Sequence, residues 1–223
     1  MTIKLFVQAI VKFTLGVVLV GALIFLPAGT LAFFNGWLLM GALFIPMFLG
    51  GVVMMFVNPK LLEKRLDAKE KLKEQDLVVK LSGLMFLVGF ILAGLNFRFG
   101  WYALPKWLSI VGSVALFVAY LLYAEVLREN TYLSRTIQVQ ENQKVVDTGF
   151  YGIVRHPMYS VTLLLFISMP IILGSVYALL VFLAYPFIIV KRIKSEETFL
   201  ENELDGYRAY KQKVKYRLIP FIW

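Results

Sequence analysis

The 223-residue chain has no cysteine and a single histidine, His156. With no thiol, disulfides, dithiol redox chemistry and thiolate-held metals are excluded. One imidazole is too few for a zinc centre built from the usual nitrogen and sulfur ligands. Charge is scarce as well: Asp, Glu, Lys and Arg make up 17% of the residues, against 60% hydrophobic. A soluble domain carries about a quarter charged and about half apolar residues, so this chain has too little polar surface for water. Internal repeats and low-complexity tracts are missing too, which excludes solenoids and compositionally biased tails. The net charge of +9 would suit nucleic acid, but the placement of the basic residues points to a membrane.

What the chain has in quantity is long apolar runs. A bilayer core of about 30 Å needs about 20 apolar residues in a helix. Leu5 to Leu26 is such a run, broken by Lys12, whose stem can snorkel. Leu31 to Val57, Leu81 to Phe97 and Trp107 to Ala124 follow without a formal charge. Met158 to Val190 is uncharged for 33 residues, too long for one crossing and short for two. Pro170, Gly174, Ser175 and Pro186 interrupt it, so it reads as a helical hairpin turning near Gly174-Ser175.

Loop charge supports the same reading. If the N-terminus is cytoplasmic, the inside segments hold 21 of the 23 basic residues and the outside only Arg98 and Lys106. That asymmetry obeys the positive-inside rule only if the last apolar run returns to the side it left. The expected fold is therefore an all-α integral membrane protein with both termini cytoplasmic. Residues 1–125 form a scaffold of four transmembrane helices. Residues 126–223 form a catalytic region: a polar loop, the hairpin and a cytosolic helical cap. No cleavable signal is expected before Leu5. Trp37, Trp101, Tyr102 and Trp107 read as interfacial anchors. The loop from Asn58 to Lys80, with Asp67 and Lys71 at i,i+4, reads as an interfacial segment near anionic headgroups.

Chemistry concentrates in the second half. A polar stretch with Arg135, Gln138, Gln140, Glu141, Asn142, Gln143, Lys144 and Asp147 leads into Arg155-His156-Pro157-Met158-Tyr159. Pro157 disfavours helix before it and suits the first turn of the helix it opens. Beyond the hairpin, Arg192 and Glu196 stand at i,i+4 and share a helix face. If the hairpin closes, these two clusters meet at one membrane boundary. On the residues alone, a functional site and a set of snorkelling anchors are equally good readings. Leu200, Leu204, Tyr207 and Val214 recur at helical spacing with Gly206 as a break, as expected of an amphipathic cap. Packing of that cap on the membrane face is the preferred reading, and closure of a pocket by Tyr207, Tyr210 and Arg217 is compatible with it.

Arg155-His156-Pro157-Met158-Tyr159, the hairpin, Arg192-Ile193-x-x-Glu196-Glu197-x-x-Leu200 and Tyr207-x-x-Tyr210-x-x-x-Val214-x-x-Arg217-x-x-Pro220 together resemble the C-terminal signature of the isoprenylcysteine carboxyl methyltransferases. These group with phospholipid methyltransferases as small membrane enzymes using S-adenosylmethionine. The resemblance spans residues 134–220. It implies cofactor contacts at Gln140, Gln143, Lys144, Val145, Val146, Tyr151, His156, Pro157, Met158, Tyr159 and Glu196. Glu197, which completes the acidic pair, joins that set. It also implies catalytic roles for Arg192 and Glu196, with Arg192 holding the carboxylate of a lipid-like or prenylated acceptor that enters from the bilayer. Membrane lipids are the other expected partners; nucleic acid and metal are not.

The residue inventory suits that chemistry. A carboxylate at neutral pH is already a nucleophile, so methyl transfer from a sulfonium needs alignment rather than a general base, and alignment is worth up to about 7–11 kcal/mol. An amine acceptor, as in phospholipid methylation, would be better served by a carboxylate than by Arg192. Sterol-type reductases share an Arg-His-Pro-x-Tyr element and a tail like Val214 to Pro220 but use NADPH; they are larger and lack the Glu196-Glu197 pattern. A non-enzymatic scaffold would not need the intact motif. For topology, cysteines introduced at Lys106 and Lys213 are expected to react with an impermeant maleimide from opposite sides of sealed vesicles; labelling from one side would defeat the hairpin.

Overall fold

The computed structural model describes residues 3–67, 73–134 and 136–223; Lys71 and Arg135 lie outside this set. Helix α1 runs Ile3–Ala28, α2 Phe34–Val57, α3 Pro59–Leu66, α4 Lys73–Phe99 and α5 Lys106–Glu129. After a loop come α6 Pro157–Leu173, α7 Val176–Phe182, α8 Tyr185–Glu203 and α9 Tyr207–Lys213. Among the described residues there is no strand, only an isolated bridge between Ala103 and Ser175. Helices α1, α2, α4 and α5 are long and apolar enough to cross a membrane, and so is the stretch Val176–Glu203. The protein is a multi-pass integral membrane protein.

The chain reverses at Gly174-Ser175. Gly174 closes α6 at φ +70°, a left-handed conformation that glycine adopts without a Cβ penalty. Ser175 then caps α7 by accepting from the Ala178 amide at 3.2 Å. The α4–α5 connection holds this tip, with Leu104 N–H donating to Gly174 O at 2.9 Å. The arms are unequal, which differs from a hairpin confined to the uncharged run. The outgoing arm, α6, has 17 residues and spans about 25 Å. The returning arm breaks between α7 and α8, where Pro186 in the first turn of α8 has no N–H to continue the helix. It then runs unbroken through the charged residues to Glu203, because nothing between Phe187 and Glu203 is glycine or proline. Gly206, at φ +83°, separates α8 from α9.

In a bilayer, helices associate by close packing more than by a hydrophobic drive, so small residues mark the contacts. Helix α4 packs against α1, α7 and α8, and α5 against α6. A Cβ on Gly94 would lie 2.5 Å from the Ile24 carbonyl of α1, and one on Gly89 would strike the Phe182 ring of α7. Gly112 of α5 faces Ile171 and Ile172 of α6 more loosely, where a Cβ would lie 3.0–3.1 Å from them. Outward, Leu15, Val18, Leu19, Ile110, Val114, Phe117 and Leu121 are exposed, as a lipid-facing surface requires. Trp37, Trp101, Tyr102 and Trp107 are exposed as well. Lys12 donates to Leu66 O at 2.5 Å, so the charge inside the first apolar run is tied to the end of α3. Gly94→Ala is expected to lower stability by about 1–3 kcal/mol through overpacking. Gly50→Ala, where a Cβ meets nothing within 4 Å, is expected to be neutral; thermal unfolding in detergent compares the two.

Candidate active site

The polar loop reaches α6 through a series of backbone constraints. Glu129, at the end of α5, accepts from the Phe150 amide at 2.9 Å. Gly149 sits at φ +52°, and any Cβ there would collide with the Glu129 carboxylate. This seats a single 3₁₀ turn, Gly149–Gly152, which buries Tyr151. Tyr210 of α9 donates to Tyr151 O at 2.8 Å. The amides of Arg155 and His156 then donate to Tyr216 O and Arg217 O, each at 2.9 Å. Tyr216 and Arg217 thereby fix the backbone of the two residues before α6. Pro157 opens α6, and the His156 side chain makes no capping bond to it.

The ends of the hairpin meet around one buried acid. Glu197 is 2% exposed. Its Oε1 accepts from Arg155 Nε at 2.7 Å, with His156 Nε2 at 3.3 Å; its Oε2 accepts from Arg217 Nε at 3.0 Å. Arg155 also donates to Val214 O at 2.6 Å and Lys215 O at 2.8 Å. One carboxylate therefore joins α8, the start of α6 and the tail. Glu196, the preceding residue, is turned about 100° around the helix and faces elsewhere. It accepts from Tyr159 Oη at 2.5 Å, and Tyr159 Oη accepts from Arg192 Nε at 2.8 Å.

Glu196, Tyr159 and Arg192 line a cavity of about 500 Å³, a common size for a cofactor or small-ligand site. Its wall changes character with depth. Under the cap lie Val145, Tyr151, Leu200, Leu204, Tyr207 and Tyr210; Arg192, Glu196, His156 and Tyr159 form a polar band; beyond it Gly83, Phe86, Thr162, Phe166, Tyr185 and Ile189 lead between α4, α6 and α8. Burial pushes the Tyr207 and Tyr210 phenols up from their ordinary pKa, which keeps them protonated at neutral pH. The Tyr207 hydroxyl is buried with no partner among the described residues. A smaller apolar cavity of about 270 Å³ lies behind α6, between Leu122, Phe150, Val161, Leu164 and Leu218.

Of the residues singled out from sequence, Gln143, Lys144, Val145, Val146, Tyr151, His156, Met158, Tyr159, Arg192 and Glu196 line the large cavity. Gln140, Pro157 and Glu197 do not. Gln140 accepts from Lys64 of α3, donates to Tyr132 O, and bonds through its backbone N–H to Gln143 Oε1 at 2.9 Å, so it folds the loop. Pro157 faces the smaller cavity. Glu197 is spent on its arginines. Tyr207 and Tyr210 reach the cavity wall, whereas Arg217 turns to Glu197 and stacks over Trp223 at 5.1 Å.

The first half supplies a wall that no motif announced. Arg65, Val78, Val79, Ser82, Gly83 and Phe86 line the cavity, and a Cβ on Gly83 would meet open space. Arg65 donates to the Tyr123 hydroxyl and to Ser134 O at 3.4 Å, which ties α3 to α5 and the loop. The small pair Ser82-Gly83 within an apolar helix was the one local hint.

An all-helical membrane protein with a chamber at the foot of a hairpin, walled by an arginine and a carboxylate one turn apart, is the class of protein these features define. Residues 110–202 match the model of the Isoprenylcysteine carboxyl methyltransferase (ICMT) family. A solved structure described as the eukaryotic intramembrane Ras methyltransferase ICMT (isoprenylcysteine carboxyl methyltransferase) without a monobody shares the fold. The alignment covers 85% of this chain and 74% of that one, at 22% identity and a TM-score of 0.53. No curated protein matches the chain. Over residues 110–202 the chain is similar to the isoprenylcysteine carboxyl methyltransferase family, and its fold is similar to that of the intramembrane Ras methyltransferase. Glu197→Ala strands the buried Arg155 and is expected to cost about 3–5 kcal/mol. Glu196→Ala, which removes one hydrogen bond from Tyr159, is expected to cost about 1 kcal/mol. Thermal unfolding of the two variants in detergent checks the contrast.

Proposed function

We propose that this chain transfers the methyl group of S-adenosylmethionine to the carboxylate of an acceptor with a hydrocarbon tail, a prenylated cysteine or a similar lipidic carboxylate, at the cytoplasmic face of the membrane. The observation that carries this reading is that Arg192 and Glu196 line one cavity together with Val145, Leu204 and Tyr207 of the cap and with the apolar side chains Phe86, Phe166 and Ile189 of α4, α6 and α8. The two groups suit ligands of opposite demand: the guanidinium takes an anion bidentately, and the carboxylate takes N–H or O–H donors.

The donor set fits the cofactor. Glu196 is the one carboxylate among the residues lining this cavity, and it would accept from amino or ribose groups. Val145, Leu200, Leu204 and Tyr207 form an apolar shelf fit for a purine, and the protonated Tyr207 phenol offers a donor beside it. Gln143, Lys144, Val146, Tyr151, His156 and Met158 complete the wall on the loop side. When bound, S-adenosylmethionine supplies an electrophilic methyl group on a sulfonium.

The work left to the protein is orientation. An acceptor carboxylate has a reference pKa of about 3.3–3.7, so it arrives ionised and no side chain has to remove a proton. Arg192 fixes it at the boundary between the polar band and the apolar opening, while Phe86, Phe166 and Ile189 bury the tail and exclude water. Glu197 acts one step removed, by holding His156 and Arg155 in place.

Calorimetric titration of the detergent-purified protein with S-adenosylhomocysteine and with NADPH tests the proposal. Saturable binding of the first and none of the second is expected. Glu196→Ala should weaken that binding about 10–100-fold, the loss of a hydrogen bond to a charged group. Arg192→Ala should retain binding but abolish methylation of an S-prenylcysteine. Binding of NADPH alone would point to a reductase, and undiminished turnover in Arg192→Ala would remove its acceptor role.

A further inference from the structure

Tyr159 belongs to both halves of the site at once. Its hydroxyl accepts from Arg192 Nε at 2.8 Å and donates to Glu196 Oε2 at 2.5 Å. The Arg192 guanidinium also lies over its ring at 6.0 Å. The ring stacks on His156 with centroids 5.7 Å apart and planes at 25°, and His156 is itself held by Glu197 at 3.3 Å. The phenol is therefore braced from α6 while its single proton and a lone pair bridge two residues of α8. A hydroxyl has one proton to give: directed to Glu196, it leaves the oxygen to receive Arg192.

This arrangement has an energetic consequence that rests on the function proposed above. Before either ligand is present, the phenol links Arg192 to Glu196, whose other oxygen lies 4.0 Å from His156 Nδ1. Glu196 then competes with an incoming acceptor carboxylate for the positive charge of Arg192, and Arg192 competes with cofactor donors for Glu196. A cofactor ammonium or hydroxyl that engages Glu196 weakens its hold on the chain and leaves Arg192 the stronger anion site. By linkage, an acceptor carboxylate on Arg192 must improve the cofactor site by the same factor.

We propose that Tyr159 is a positioning residue that couples the donor and acceptor sites, so that each ligand binds more tightly when the other is present. Coupling between sites is commonly about 5–150-fold, and about fivefold or more is expected here. The benefit to the reaction is that the carboxylate is gripped firmly only in the complex that can react.

The test is a calorimetric titration of S-adenosylhomocysteine into the full chain in lipid nanodiscs, alone and with saturating S-prenylcysteine, with S-prenylcysteine amide as the uncharged control. In the unaltered protein the free acid should tighten S-adenosylhomocysteine binding about fivefold or more, and the amide should not. Tyr159→Phe keeps the ring and its stacking on His156 but removes the bridge; it should still bind each ligand, with the ratio near one. Arg192→Lys, which has no Nε–H to donate to the phenol while keeping the charge, should lose the coupling as well, and decides the matter if Tyr159→Phe is unstable. A ratio near one in the unaltered protein, or coupling that survives in both variants, overturns the proposal while the methyltransferase reading stands. Absence of any S-adenosylhomocysteine binding overturns both.

Discussion

Burying one carboxylate among Arg155, His156, Arg217 and, at 3.8 Å, Lys211 is the constraint from which the polar end of this molecule follows. Glu197 reaches Arg155, 42 residues earlier in the chain, together with His156 and Arg217. Taking these charges out of water costs several kcal/mol for each ion, and the attraction offsets that cost only where geometry and extra hydrogen bonds are good. Here they are: Arg155 is also met by the carbonyls of Val214 and Lys215, and the amides beside it by Tyr216 and Arg217. Such a knot adds less to stability than to uniqueness. It admits one register between the start of α6, the end of α8 and the tail, and so determines where Tyr159, Arg192 and Glu196 stand.

The cavity above that knot is graded rather than uniform. Tyrosine and aliphatic side chains line it from the cap, Arg192, Glu196 and polar loop residues such as Asn130, Gln138 and Lys144 line it in turn, and aromatic and aliphatic side chains line it between helices. That order suits two ligands that arrive from different phases, one from water and one from lipid. The chemistry proposed here asks for alignment at that phase boundary, not for a tuned acid or base.

Much of this architecture was legible in the residues. Uncharged runs mark membrane helices because each desolvated backbone must bond within its own segment. Gly174, Ser175 and Pro186 announce a turn and a break because each removes a specific helical option, and the structure has a turn and a break at those places. The helix opening at Pro157 and the interruption at Gly206 were readable for the same reason. The division of labour between Glu196 and Glu197 was not. The two are chemically identical and adjacent, and which of them faces the cavity depends on the rotational phase of α8 against α6. The partners of Gln140 were equally out of reach, since an amide in a polar loop bonds equally well to a ligand or to Lys64 and Tyr132.

The wall contributed by Arg65, Ser82, Gly83 and Phe86 was the part furthest from view. Nothing about an apolar helix says which of its stripes faces lipid, protein or a cavity, because all three want the same side chains. By itself, the amino-acid order determined composition-driven properties: residence in a membrane, the number and rough extent of the apolar helices, and the local stops and starts. The tertiary structure alone decided which faces meet. That choice arises from packing and from the pairing of buried charges, which act between residues far apart in the chain and leave no local pattern behind.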